Sequence, residues 1–173
     1  MRQFKIILAI TLAVVLQSAL RHVLPVSRYV DLPLILAIYY ALRRELNACL
    51  VIAAVAGVAT DSLSGGLLGA GGCARLVAAF LTVSLSLRVM LDNPLARVPA
   101  LAGATALSTL VYLGLHQLWG QPLPEFPLVE WVAKQLFATT AVGSLLMLVV
   151  DNFFSERARQ RRQVAARRKF SRR

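Results

Sequence analysis

Residues 46–63 read LNACLVIAAVAGVATDSL, eighteen positions whose single charge, Asp61, comes sixteenth. A run this long and this apolar approaches the ~20 residues that a helix needs to cross a hydrocarbon core ~30 Å thick. Runs of the same character occupy residues 4–23, 74–91, 101–119 and 128–150, and a shorter one occupies 29–42. Gly-rich, Asp-Asn-Pro and Pro-rich breaks separate them. With 58% hydrophobic residues and a mean hydropathy of +0.67, an ordinary soluble domain is excluded. Helices satisfy their own backbone in lipid, and no alternating ten-residue pattern suggests a barrel. The expected fold is an all-α integral membrane protein.

The first run follows a basic start, Met1 and Arg2, as a signal peptide would. Its apolar part exceeds the ~7–15 residues of a signal core, and no small-x-small cleavage pattern precedes Pro25, so it reads as a retained span. The short run 29–42 opens with Asp31 and Pro33, a helix-start signature, although its length alone also suits a re-entrant segment.

Charge decides between five and six crossings, because short cytoplasmic loops concentrate Lys and Arg. With six transmembrane helices and both termini inside, Arg2, Lys5, Arg43, Arg44, Arg88, Arg97 and the nine basic residues after position 156 lie inside. Only Arg21, Arg28, Arg75 and Lys134 lie outside. Five crossings would translocate the basic N-terminus. The expected organisation is a six-helix transmembrane domain over 1–152 and a basic cytoplasmic tail over 153–173. Between the last two spans, Pro122, Pro124 and Pro127 stiffen the outer segment 120–130, and Trp119 and Trp131 flank it at headgroup depth.

Asp61 stands out chemically. An acid near a span end is costly unless it meets water, a partner or a helix N-terminus, with midplane penalties of ~2.5–3.5 kcal/mol on insertion scales. One reading turns it into the bundle, with Arg75 as counter-ion across a glycine turn. The other leaves it as an interfacial acid outside the hydrocarbon, and both stay open. Asp31, two residues before Pro33, reads as a helix cap. Gly65, Gly66, Gly69, Gly71 and Gly72 follow a helix and lack the Gly-Lys-Ser/Thr ending of a phosphate loop, so they read as a close-packed turn.

Cys49 and Cys73 match no metal or redox spacing and read as small buried hydrophobes. His22 and His116 have no converging ligands, so no metal or cofactor is expected. No Ser/His/Asp set and no paired intramembrane carboxylates are present, so no enzymatic activity is expected. Asp92 and Asp151 read as solvated acids at inner helix ends. Ala9 and Ala13 form a small-xxx-small pair that lets another helix approach, and Gly57 and Gly103 thin their own helices.

The tail carries Arg157, Arg159, Arg161, Arg162, Arg167, Arg168 and Lys169 among its nine basic residues, against one acid. It reads first as a positive-inside anchor on anionic lipids, at ~1 kcal/mol per basic residue near the surface. A cytoplasmic protein contact comes second, and basic charge alone gives no reason to expect a nucleic-acid partner.

Leu32-Pro33-Leu34 through Tyr39-Tyr40-Ala41-Leu42-Arg43-Arg44, followed by Ala56-Gly57-Val58-Ala59-Thr60-Asp61 and Gly65-Gly66-Leu67-Leu68-Gly69, resembles the MreD family of rod-shape-determining membrane proteins. The order of elements agrees along the chain: a first span, an Asp-x-Pro entry to a short second span, a Gly-x-x-x-Asp then Gly-Gly-x-x-Gly turn, and three more spans. The resemblance implies a non-enzymatic component of the cell-elongation machinery in the bacterial inner membrane. Its implied partner is MreC, and through MreC it would meet RodA and a class B penicillin-binding protein and, indirectly, MreB. It also implies a fold similar to the substrate-binding component of energy-coupling-factor transporters, with a cavity open to the outer side near Asp61 and Arg75. The alternative function is therefore a small-ligand-binding subunit of such a transporter. Fold analogy does not transfer a substrate.

Overall fold

The computed structural model describes the backbone of residues 2–23, 29–64, 68–89, 94–120 and 128–170, and the side chains of 6–20, 29–63, 68–89, 96–120 and 129–152. Among these residues every regular element is a helix: α1 (Arg2–Val23), α2 (Leu32–Leu42), α3 (Leu46–Ser64), α4 (Ala70–Arg88), α5 (Pro94–Leu118) and α6 (Leu128–Phe170). Four of them, α3 to α6, are long and apolar enough to cross a membrane. Among the described side chains, the apolar stretch of α1 covers Ile6–Leu20, and α2 is shorter still.

The eleven residues of α2 rise ~16 Å, about half a bilayer core. Its sequence, LPLILAIYYAL, is apolar on every side, the pattern of a helix enclosed by others. α2 packs against all five other helices. Around it, α1 meets α3, α3 meets α4, α4 meets α5 and α5 meets α6, while α1 and α6 do not touch among the described residues. The surround is an open ring. One core cluster joins Ile10 and Val14 of α1 to Ala37, Ala41, Ile52, Ala56 and Val83. On the other side of α2, Leu34, Ile35 and Ile38 pack with Ala78, Leu101, Ala104 and Met147.

α3 and α4 approach closely because glycine faces glycine. A Cβ on Gly57 would collide with the Gly72 Cα, and one on Gly72 would sit 3.3 Å from the Val58 nitrogen. Such backbone contact is a main source of helix attraction where lipid competes with every apolar side chain. On α4, Ser86 lies 3.0 Å from the Ala41 carbonyl and 2.8 Å from that of Val83, which ties the helix to α2.

Helix starts differ from the sequence expectation in two places. α4 begins at Ala70, four residues before the expected 74, so Gly71 and Gly72 belong to its first turn, and Gly69 before it, at φ 91°, is left-handed. α5 begins at Pro94, where the missing N–H costs nothing, and carries Pro99 within it. α6 continues without a break past Asn152 to Phe170, so the expected boundary between membrane domain and tail falls inside one helix.

Candidate functional site

A polar network is buried toward the end of the bundle where α2 and α4 begin and α3 ends. Asp31 is 9% exposed, Asp61 9% and Arg75 7%, inside an otherwise apolar bundle. Asp31 precedes α2, and its Oδ1 accepts from the Leu34 N–H at 3.1 Å, an N-cap. Asp61 sits three residues before the end of α3, and its Oδ2 accepts from the N–H groups of Gly69, Gly71 and Gly72 at 3.1, 2.9 and 3.2 Å. That carboxylate caps α4 from a different helix, which is why α4 starts early.

Arg75, one and a half turns into α4, joins the two acids. Its Nε donates to Asp31 at 2.9 Å to Oδ2 and 3.2 Å to Oδ1. Nη1 donates to the Thr60 hydroxyl at 2.8 Å and stands 3.8 Å from Asp61 Oδ1. Thr60 in turn donates to the Gly57 carbonyl at 2.9 Å. Arg75 therefore does face Asp61, but its close partner is Asp31.

Two carboxylates against one guanidinium leave one negative charge in excess. Each carboxylate receives amide N–H groups at a helix N-terminus, where the aligned peptide dipoles offset about half an elementary charge. The surplus is met by α2 and α4 themselves. Gly71 has the same explanation: a Cβ there would run into Asp61 Oδ1 and lie 3.0 Å from Arg75 Nη1.

Besides Thr60, two residues of the network escaped the sequence reading. Gln17 on α1 donates from Nε2 to the Val30 carbonyl at 2.6 Å and accepts from the Leu32 N–H at 2.9 Å. Thr139 on α6 donates to the Tyr29 carbonyl at 2.9 Å and accepts from the Asp31 N–H at 3.4 Å. They hold residues 29–32 from both sides of the gap between α1 and α6. The available signal was an amide and a hydroxyl in spans of apolar residues, where polar groups need partners.

At the other end, Asp151 takes Arg43 at 3.4 Å and also pairs with Arg97, and the Arg43 guanidinium lies 4.5 Å from the centre of the Tyr39 ring. Asp151 thus links α2, α5 and α6, where a solvated acid was expected. Cys49 is buried as expected, whereas Cys73 is exposed at the start of α4. Ala9 and Ala13 are partly buried on α1. Gly65, Gly66, Asp92, most of segment 120–130 and the side chains of Arg157, Arg159, Arg161, Arg162, Arg167, Arg168 and Lys169 lie outside the described residues.

The hydrogen bonds and ion pairs of Asp31, Asp61 and Arg75 join α2, α3 and α4. Among the described residues no group of three or more His, Cys, Asp or Glu could hold a metal ion. The chain matches no protein-family model, no curated protein and no solved structure.

Proposed function

We propose that this chain is a non-enzymatic membrane scaffold of the bacterial cell-elongation machinery. It binds MreC and, through it, helps organise RodA and a class B penicillin-binding protein for lateral peptidoglycan synthesis. In this reading all six helices cross the inner membrane, both termini are cytoplasmic, and the basic tail rests on anionic lipids. Support comes from the resemblance of residues 32–44 and 56–69 to the MreD family, and from one observation about those same residues. Asp31, directly before the first stretch, and Asp61, within the second, meet at Arg75 in a closed internal network, which suits a part that must keep its shape while other proteins press on it. The placement of Arg43 and Arg97 at the end opposite Arg75 agrees with a basic inner face.

A transporter subunit would need polar groups turned toward a ligand, and at Asp61 and Arg75 the observed contacts are internal. Co-purification of the tagged chain from its own cells in mild detergent separates the two readings. Recovery of MreC, with or without the polymerase and transpeptidase, is the expected result. Recovery of paired ATPases with a membrane coupling subunit would overturn the scaffold reading.

A further inference from the structure

Between α1 and α3, at the end of the bundle that holds the turn into α3, lies a cavity of about 600 Å³ walled by Ile6, Ile10, Ala48, Val51 and Val55. Asn47 also lines it and is exposed. We propose that this groove binds one acyl chain of an anionic phospholipid, with the phosphate met by Asn47 and Arg44.

The volume falls within the ~300–1,000 Å³ usual for small-ligand sites. Thr11, one of its two polar lining residues, already donates to the Ile7 carbonyl at 3.0 Å, so apart from Asn47 the lining asks for hydrocarbon. Branched Ile and Val side chains fill most of the wall. Close approach of a second transmembrane helix is favoured by small residues, and of the lining residues Ala48 alone is small, while Ala9 and Ala13 lie outside the lining.

Among the described residues, basic side chains lie in the turn that leads into α3. Arg43 is drawn toward Asp151 and stacks on Tyr39. Arg44, exposed and in the left-handed conformation at φ 60°, enters no ion pair among the described residues. It stands three residues before Asn47, in the turn that leads into α3. Glu45, the next residue, is partly buried and has contacts of its own. Long basic side chains at a helix end reach the headgroup level while their stems stay in the apolar layer. An anionic headgroup above an apolar slot therefore has both halves matched. This site does not depend on the scaffold reading.

The test uses the full chain in nanodiscs of phosphatidylcholine and phosphatidylglycerol at about 3:1, released and weighed by native mass spectrometry. The ~1 kcal/mol expected per basic residue near anionic lipid corresponds to about fivefold in occupancy. Wild type and Leu110→Trp, on an exposed face of α5, should keep a phosphatidylglycerol adduct equally. Ala48→Trp fills the groove and should lose it, and Arg44→Gln should lower it about fivefold. Absence of the adduct from wild type, or equal retention by Ala48→Trp and Arg44→Gln, would overturn the proposal. So would a dimer that Ala48→Trp dissociates. If Ala48→Trp loses its helical circular dichroism, the Arg44→Gln ratio alone decides.

Discussion

Arg75 holds Asp31 across forty-four residues of sequence, with its Nε 2.9 Å from the carboxylate. The contact joins the first turn of the central helix to a surrounding helix, and everything else at this end of the bundle is arranged about it.

Removing Arg75 leaves two buried carboxylates without their shared cation. Breaking a buried ion pair from one side typically costs about 3–5 kcal/mol. Arg75→Ala should lower the unfolding midpoint in mild detergent accordingly. Arg75→Lys restores a charge without the planar fork that serves Asp31 and Thr60 together, so it should recover only part of the loss. An unchanged midpoint for Arg75→Ala would remove the network as a stabilising element.

Asp61 acts on α4 before it acts on Arg75. Asp61→Ala strips three amide N–H groups of their acceptor, and a lost helix cap costs about 0.5–2 kcal/mol. On the proposed scaffold reading, recovery of MreC with the tagged chain, and rod shape in complemented cells, should suffer more from Asp61→Ala than from Asp92→Ala. Full and equal complementation by both would sink the link between this cap and assembly.

Gly57 and Gly103 should respond oppositely to alanine. At Gly57 the new methyl meets the α4 backbone, which has no flexible end to yield, and overpacking costs about 1–3 kcal/mol. At Gly103 nothing lies within 4 Å of the new atom, and the helix gains about 0.5–1 kcal/mol from the lost glycine. Unfolding midpoints of the two variants should move in opposite directions.

Cysteine reactivity reads the orientation of the bundle. Cys73 is exposed beside the α3–α4 turn, while Cys49 is buried near the opposite end. A membrane-impermeant maleimide added outside spheroplasts should label Cys73 and leave Cys49 unmodified until the protein is unfolded. Labelling of Cys73 only after permeabilisation would invert the expected topology.

The apolar runs were legible because membrane-crossing composition depends only on neighbours in sequence. Residues 46–63 reappear inside α3, and Asp31 caps α2 as the Asp-x-Pro pattern implies. The start of α4 was not legible, since glycines read as a turn unless an acceptor arrives from elsewhere, and Asp61 is that acceptor. Arg75 was matched to the nearer acid, Asp61, because sequence distance is all that a chain without a fold can offer. Gln17 and Thr139 passed as ordinary exceptions in apolar runs. Their role appears only once residues 29–32 are seen lying between them.

The shortness of α2 bears on how the protein is made. Eleven residues are fewer than the ~17–25 of a self-sufficient span, and the acid at its entry waits for a cation encoded forty-four positions later. While α4 is still being synthesised, Asp31 lacks Arg75, so α2 is expected to settle into the bilayer only after its surrounding helices are present. A chain halted before Arg75 should leave residues 29–42 open to a water-soluble label that the full-length chain excludes. The centre of the molecule is in this sense completed from the outside inward.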